Sequence, residues 1–240
     1  MFVDLDAFSD RLAGIPGVVA VALGGSRARG AERPDSDWDL ALYYRGTIDP
    51  DDVRALGYQG TVVAPGEWAY PMNGGAWLSV DGEKVDLLYR DLDDVERWTR
   101  AAKEGDWELF RVPGYICGMP TYALTAELAT GRVLRGALDQ PAFPEALRET
   151  GPERWRWEAD FALEHASTHA KRNDVPACLG MCTVAVLATA HARMLELAEW
   201  ALNEKGLASR AGLEGAAALL RIKDGDLSAV VSGLGATLGA

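Results

Sequence analysis

Two short runs of residues near the N-terminus carry groups that could do chemistry. Residues 24–30 read GGSRARG, and residues 37–39 read DWD. Glycines allow backbone N–H groups to approach an anion closely, as they do in turns that hold phosphate. Two aspartates two positions apart on a strand share one face, and a divalent cation offsets the repulsion between them. Together the two runs predict a phosphate cradle beside a cation site, which indicates nucleotide chemistry.

The glycine-rich run offers three kinds of group to phosphate oxygens. The backbone at Gly25 and the hydroxyl of Ser26 can donate hydrogen bonds, while Arg27 and Arg29 can neutralise charge. Arginines beside a turn are also common as ordinary surface charges. Both interpretations therefore stay open for the two arginines.

A third carboxylate lies in a later apolar segment. Asp86 interrupts a strand-like run, where a carboxylate is costly unless it is paired or bound to a metal. Side-chain alternation predicts that Val85 and Leu87 face the core. Asp86 would then share a cleft with Asp37 and Asp39.

Short strands joined by tight turns must position these groups. The apolar run 18–23 predicts a strand that ends at the glycines, and residues 37–44 predict a second strand. The Asp81-Gly82 pair lies between the runs 76–80 and 83–90. It predicts a hairpin with a two-residue type I′ turn, because both turn positions need positive φ.

Other patterns in the first part of the chain predict helices, two more strands and a loop. The predicted helices cover about residues 4–13, 49–57, 91–103 and 120–130, the strands cover 107–112 and 133–134, and a Gly- and Pro-rich loop with aromatic residues covers 60–75. The glycine run is also expected to open a short helix whose N-terminus adds a positive dipole to the phosphate cradle.

The composition changes from Pro144 onward, where Ala, Leu, Glu and Arg dominate. Helices are predicted at about 144–172 and 176–204, with two shorter ones to the end. The sequence therefore predicts an α/β fold, with a mixed β-sheet flanked by helices at residues 1–139 and a helical bundle at residues 140–240.

Composition and charge restrict the function classes. The formal net charge of −12 argues against a long nucleic-acid footprint and suits a cationic small molecule better. The three cysteines are not expected to form a disulfide framework. Residues 1–9 lack the basic region of a signal peptide, and we expect no stretch long and apolar enough to span a membrane. We therefore expect a cytoplasmic protein without nucleic-acid or membrane partners; a homodimer stays open.

The spacing of these motifs resembles the polymerase-β-like nucleotidyltransferase superfamily. Gly25-Ser26, ten intervening residues, the Asp-x-Asp pair at 37–39 and the separate Asp86 form the pattern. Residues 25–30 and 36–40 are most similar to the small-molecule branch, which includes kanamycin nucleotidyltransferase. The resemblance implies an N-terminal nucleotidyltransferase domain and a helical C-terminal domain that closes over substrate and nucleotide. Trp38 departs from the family pattern, in which a smaller aliphatic residue is usual.

The resemblance also implies a reaction and a set of site residues. A nucleoside monophosphate, AMP in the leading version, would pass from a triphosphate such as ATP to a hydroxyl, with pyrophosphate leaving. Asp37 and Asp39 would bridge two Mg²⁺ ions, and Asp86 would bind the ion at the acceptor hydroxyl or accept its proton. Gly25 and Ser26 would hold the triphosphate.

Two cations complete the implied nucleotide site. Arg29 follows the cradle, and Lys205 is expected on a late helix from which it could reach the triphosphate. Lys205 could instead be a cation at the C-terminus of that helix, with Gly206 as the stop.

Two classes of function remain in view. One is an enzyme that nucleotidylylates a small hydroxylated molecule, either to inactivate an antibiotic of the aminoglycoside type or in biosynthesis. The alternative is a non-catalytic, antitoxin-like module that keeps the fold and binds a partner. A polynucleotide extender is disfavoured by the acidity of the chain.

Overall fold

A computed structural model describes residues 4–30, 32–220 and 226–239 of the 240-residue chain. The chain packs into two compact units, which are described separately. Among the described residues, unit 1 contains those in the ranges 1–100 and 124–142, and unit 2 contains those in the ranges 101–123 and 143–240. The predicted domain boundary between residues 139 and 140 stays a prediction, and the outer ends of the predicted domains, residues 1 and 240, lie outside the described residues.

The elements are numbered in chain order within the described residues. The strands are β1 (Val18–Leu23), β2 (Trp38–Tyr44), β3 (Gln59–Val62), β4 (Gly75–Val80), β5 (Glu83–Asp91), β6 (Leu109–Phe110), β7 (Met119–Pro120) and β8 (Arg132–Gly136). The helices are α1 (Leu5–Ala13), α2 (Gly25–Ala28), α3 (Pro50–Arg54), α4 (Leu92–Lys103), α5 (Tyr122–Thr130), α6 (Glu145–Lys171), α7 (Val175–Glu196), α8 (Leu207–Arg210), α9 (Glu214–Leu219) and α10 (Leu227–Leu238).

Unit 1 is built on a six-stranded mixed sheet with the order β3-β4-β5-β2-β1-β8. Strands β2 and β5 are parallel, and the other neighbouring pairs are antiparallel. One face of the sheet packs against α1 and α3 around a core of buried apolar side chains. On the opposite face, Arg90 of β5 is buried and donates to both carboxylate oxygens of Glu127 in α5. Helices therefore flank a mixed sheet, as predicted.

Aspartate side chains cap the N-termini of α1 and α3 at the positions that the sequence predicts. The Asp4 carboxylate accepts a hydrogen bond from the backbone N–H of Ala7, and Asp49 accepts one from Asp51. Pro50 occupies the first turn of α3, where its missing N–H costs nothing. α3 ends at Arg54, before the predicted stop at Gly57.

The predicted hairpin is confirmed. Asp81 and Gly82 have φ values of 52° and 87°, as a type I′ turn requires. Val80 therefore pairs with Glu83, and this pairing sets the register of β4 against β5.

Two predictions in this part of the chain need correction. The segment predicted as a loop from residue 60 begins in β3, which pairs with β4 at the edge of the sheet. The predicted strand 107–112 is reduced to β6, which pairs with β7. In both cases the partner strand decides the outcome, and local composition does not identify it.

Unit 2 is helical, and α6 and α7 pack against each other. The predicted helix over 144–172 is confirmed as α6, whereas α7 ends at Glu196 instead of residue 204. Ala198 adopts a left-handed φ of 54°, and the N–H of Glu199 donates to the carbonyl of Met194. This is a Schellman stop with alanine in the position that glycine usually occupies, so residue types alone do not predict it.

α7 is long and apolar enough to cross a membrane by length and composition, with a mean hydropathy of 1.6. The expectation that no stretch approaches a membrane span is therefore wrong for this helix. Of the same window, 56% is buried inside the protein, and α7 packs against α6. A buried core helix satisfies the same criteria as a membrane span.

The C-terminal part of unit 2 contains three short helices in the described residues, α8, α9 and α10, where two were predicted. Gly206 and Gly212 both have positive φ, 65° and 67°, and they separate the helical segments. α10 contributes Leu227 and Leu234 to the core of the unit.

Candidate active site

Two of the three predicted carboxylates lie on neighbouring parallel strands. Asp39 of β2 is directly in register with Asp86 of β5. Residues in register on adjacent strands project from the same face of the sheet. Val85 and Leu87, on either side of Asp86, are fully buried on the opposite face, as predicted.

Asp37 joins Asp86 in the lining of a cavity of about 480 Å³ in unit 1. Asp37 lies just before β2 and two positions before Asp39, so alternation directs both to the same face. All three carboxylates are half-buried. The structure thus brings the three predicted acids to one end of one sheet face.

The glycine turn contacts the second of these acids. The N–H of Gly24 donates to the carbonyl of Asp39 at 2.8 Å. Gly25 has a φ of 61°, and a Cβ atom at this position would overlap the Asp39 carboxylate. Glycine is therefore required twice at position 25, for its backbone conformation and for the space that Asp39 occupies.

Ser26 lies in the first turn of α2 and is half-buried. The Ala28 N–H donates to the carbonyl of Gly24 at 3.1 Å, which is the first bond of this short helix. A helix start leaves its earliest N–H groups without intrahelical acceptors, so the N–H groups at Gly25 and Ser26 are suitable anion donors. α2 has only four residues, so it adds little of the dipole that the sequence predicted.

Arg27 has a structural role that the sequence did not indicate. Its guanidinium donates to the carbonyls of Ser36 at 2.6 Å and Asp37 at 3.1 Å. The same group lies over the Trp38 ring, 4.1 Å from the centroid. Arg27 therefore ties the glycine turn to the backbone that carries Asp37. Trp38 supplies the aromatic surface on which Arg27 stacks.

The other two predicted nucleotide-binding cations have different surroundings. Arg29 ends α2 and is exposed. Lys205 is exposed in a turn of unit 2 and not on a helix, so the predicted helical position is wrong. Gly206 begins α8 with a left-handed φ and does not terminate α7. Because α7 stops at Glu196, the interpretation of Lys205 as a C-terminal helix cation is also wrong.

The carboxylate set suits a hard divalent cation by its chemistry. Mg²⁺ prefers carboxylate oxygens, and Asp37, Asp39 and Asp86 supply three of them on one sheet face. Within residues 4–30, 32–220 and 226–239, no group of three or more His, Cys, Asp or Glu side chains is already arranged as a metal cluster. The residues that would hold a cation at this face of the sheet are these three aspartates.

Residues on β4 and β5 extend the site beyond the predicted set. Trp77 is in register with Asp86, and Ser79 is in register with Lys84. All four line the cavity that contains Asp37. The two-residue turn at Asp81-Gly82 already determines these pairs, because a hairpin of this type pairs residues at fixed offsets from the turn. Counting outward from this turn therefore predicts from the sequence that Trp77 pairs with Asp86 and Ser79 with Lys84.

Comparisons with known proteins give a family match for the N-terminal region. Residues 5–101, which contain all three aspartates and the glycine turn, match the family model for the nucleotidyltransferase domain. A nucleotidyltransferase-like protein from Exiguobacterium sibiricum shares 11% identity with a TM-score of 0.45, covering 97% of this chain and 72% of that one. No curated protein matches. The match covers less than half of the chain and includes β1 to β5 of the mixed sheet. The sheet flanked by helices and the helical region that follows it agree with the predicted fold.

Proposed function

We propose that this protein transfers a nucleoside monophosphate, AMP from ATP in the leading version, to a hydroxyl group of a small molecule. The observation that supports this most strongly is the register of Asp39 with Asp86, beside a glycine turn whose backbone contacts Asp39. Phosphate donors and cation ligands thereby meet at one end of the sheet, inside the region that matches the nucleotidyltransferase family model.

Each residue of the site has a defined task in this proposal. The N–H groups at Gly25 and Ser26 and the Ser26 hydroxyl hold the triphosphate, with Arg29 supplying charge. Asp37 and Asp39 hold the divalent cations that accompany the nucleotide. Bound Mg²⁺ would supply charge stabilisation for the attacking and leaving oxygens.

The chemical step is an in-line displacement. The acceptor oxygen forms a bond to the α-phosphorus, and the bond between that phosphorus and the β-phosphate oxygen breaks. Pyrophosphate leaves with the electron pair, and the hydroxyl proton passes to the Asp86 carboxylate as general base. Arg27 takes no part in this exchange, but it holds the backbone at Asp37 in place.

The small-molecule branch is proposed because residues 25–30 and 36–40 resemble it and because the net charge of −12 disfavours a nucleic-acid acceptor. Within that branch the role is either modification of an antibiotic or a biosynthetic step. We propose that the protein acts in the cytoplasm.

A screen of nucleoside triphosphates with hydroxylated small molecules, scored by Mg²⁺-dependent pyrophosphate release, tests this function. We expect release that requires both the triphosphate and an acceptor, and a product whose mass exceeds that of the acceptor by one nucleoside monophosphate. The Asp39→Asn variant is the negative control. The same release from wild type and from Asp39→Asn would contradict the proposal and favour the antitoxin-like alternative.

A further inference from the structure

Two rows of side chains extend from the carboxylates across β5, β4 and β3. In the first row, Asp86 is in register with Trp77, and Trp77 with Thr61. In the second row, Lys84 is in register with Ser79, and Ser79 with Gln59. Residues in register share a face, so both rows lie on the face that carries the three aspartates. The members that line the cavity with Asp37 and Asp86 are Gln59, Trp77, Ser79 and Lys84.

Trp77 presents an aromatic surface next to Asp86. Its side chain is 50% exposed, although it is one of the largest apolar groups in unit 1. One side of the indole packs on Trp68, with ring centroids 4.7 Å apart. Trp68 in turn packs closely on Gly75, where a Cβ atom would lie 3.0 Å from its ring. The ring of Trp77 is thus held in place by Trp68, and its exposed part is accessible to a ligand. Such a ring can bind a ligand by stacking at low entropic cost.

Lys84 determines which polar groups such a ligand can carry. It is exposed, lines the cavity and lies one row from Asp86. An ammonium group has three donors and no acceptor, so it binds oxygen acceptors and repels other ammonium groups. Gln59 and Ser79 add an amide and a hydroxyl beside it. When divalent cations offset the charges of Asp37 and Asp86, which line the same cavity, Lys84 makes this surface suit hydroxyl or carboxylate oxygens better than amines.

The order of the strands separates this surface from the phosphate cradle. The glycine turn follows β1, on one side of β2, whereas Trp77 lies on β4, beyond β5 on the other side. With about 4.8 Å between strands, Trp77 lies about 10 Å from Asp39 across the sheet. Nucleotide and acceptor can therefore approach the carboxylates from opposite sides.

We propose that Gln59, Trp77, Ser79 and Lys84 bind the acceptor, and that the acceptor is a polyhydroxylated ring, neutral or acidic, that stacks on Trp77. This inference rests on the proposed function and specifies its substrate class. It differs from the expectation of a cationic acceptor, which follows from the net charge of the whole chain. Lys84 lies in the cavity itself, so its charge acts on a bound ligand more directly than the charge of the distant surface does.

Three monosaccharides that share one ring but differ in charge test the proposal. D-glucuronate, D-glucose and D-glucosamine are titrated against the full chain with Mg²⁺, and binding is measured by ligand-observed NMR. We expect wild type to bind glucuronate about tenfold more tightly than glucosamine, as a hydrogen bond to a charged group allows, with glucose between them. Lys84→Glu should reverse the order of the two charged sugars, whereas Lys103→Glu, at an exposed position near the end of α4, should not.

Stacking is tested separately with the same probes. Trp77→Ala should lower the affinity for each of the three sugars about tenfold, the range that an aromatic contact provides. Trp77→Phe should lower these affinities less. Trp157→Ala, which removes a tryptophan that is 59% exposed on α6, serves as the matched control and should leave the three affinities unchanged. Circular dichroism confirms that each variant is folded.

Three results would overturn the inference: no sugar binds to wild type, glucosamine binds most tightly to it, or Trp77→Ala behaves like Trp157→Ala. ATP affinity is measured in parallel with Mg²⁺ and should be the same in wild type, Trp77→Ala and Lys84→Glu. If wild type does not bind ATP at all, the proposed function fails. If ATP binds normally while the sugar results are negative, only the acceptor class fails.

Discussion

Asp39 and Asp86 lie directly opposite each other on the parallel strands β2 and β5. The backbone pairing of two strands that are distant in sequence brings these carboxylates together, so the site depends on the sheet register and not on a local loop. Asp39 also contacts the glycine turn, and Asp86 faces Trp77. This pair therefore lies between the glycine turn on one side and the proposed acceptor-binding residues, which include Trp77, on the other.

Gly25→Ala should impair catalysis far more than Gly24→Ala. A Cβ atom at position 25 would overlap the Asp39 carboxylate and would also require a left-handed backbone with φ of 61°. At position 24 the nearest atom to an added Cβ lies 3.8 Å away, in ordinary contact. Because a displacement of about 1 Å can cost about 100-fold in rate, we expect a loss of that size for Gly25→Ala only. Similar single-turnover rates in the two variants would contradict the packing of Gly25 on Asp39.

Arg27→Lys should reduce both stability and turnover, although it keeps the charge. Lysine cannot reproduce the two hydrogen bonds to Ser36 and Asp37 together with the stacking on Trp38. We expect the free energy of unfolding to fall by about 1.5–3 kcal/mol, the range for hydrogen bonds to a charged group. Urea titration and the rate of pyrophosphate release check this, with Arg100→Lys, at an exposed position on α4, as the control. Full activity in Arg27→Lys would mean that only its charge matters.

His191 is buried in unit 2 among aromatic side chains. It stacks on Trp155 with centroids 4.3 Å apart, and its Nδ1 atom lies 3.1 Å from the hydroxyl oxygen of Tyr122. Its Nε2 atom is buried without a hydrogen-bond partner in the part of the chain that the structure describes. Burial lowers the pKa of His191 from 6.5 to about 3, so the folded protein keeps this ring neutral.

This burial should make the protein less stable in mild acid. Below about pH 6.5 the unfolded chain binds a proton at His191 that the folded state excludes. The free energy of unfolding should therefore fall by up to about 1.4 kcal/mol per pH unit between about pH 6 and pH 4 from this group. The free energy of unfolding of His191→Phe should fall less steeply with decreasing pH than that of wild type. His165→Phe, at an exposed position, should have the same pH dependence as wild type. Equal slopes for wild type and His191→Phe would contradict the assignment.

The parts of the fold that follow from local pattern were predictable. Asp4 and Asp49 start helices through side-chain caps, and the Asp81-Gly82 pair selects one turn type and one register. Alternation along β5 alone places Asp86 on the face opposite Val85 and Leu87. These features depend on neighbours within a few residues, and the sequence contains all of those neighbours.

Other features depend on contacts between distant segments. The stop of α7 uses Ala198 in a left-handed conformation, which alanine rarely adopts, so residues up to 204 still resembled a helix. β3 exists because the edge of β4 accepts it. The position of Arg27 over Trp38 depends on how the glycine turn meets the start of β2, and residue type alone indicated a phosphate contact as readily.

The most direct test of the account is a paired measurement on Asp86→Asn: the affinity for ATP with Mg²⁺ and the single-turnover rate of nucleotide transfer. We predict that the affinity stays near the wild-type value, because Asp37, Asp39 and the glycine turn hold the nucleotide, while the rate falls by at least the roughly 10²–10⁴-fold typical of losing a general base. Asp81→Asn is the matched control, since asparagine suits the same type I′ turn and the residue lies outside the cavity. A wild-type rate in Asp86→Asn, or an equal loss of affinity and rate, would contradict the catalytic role of Asp86.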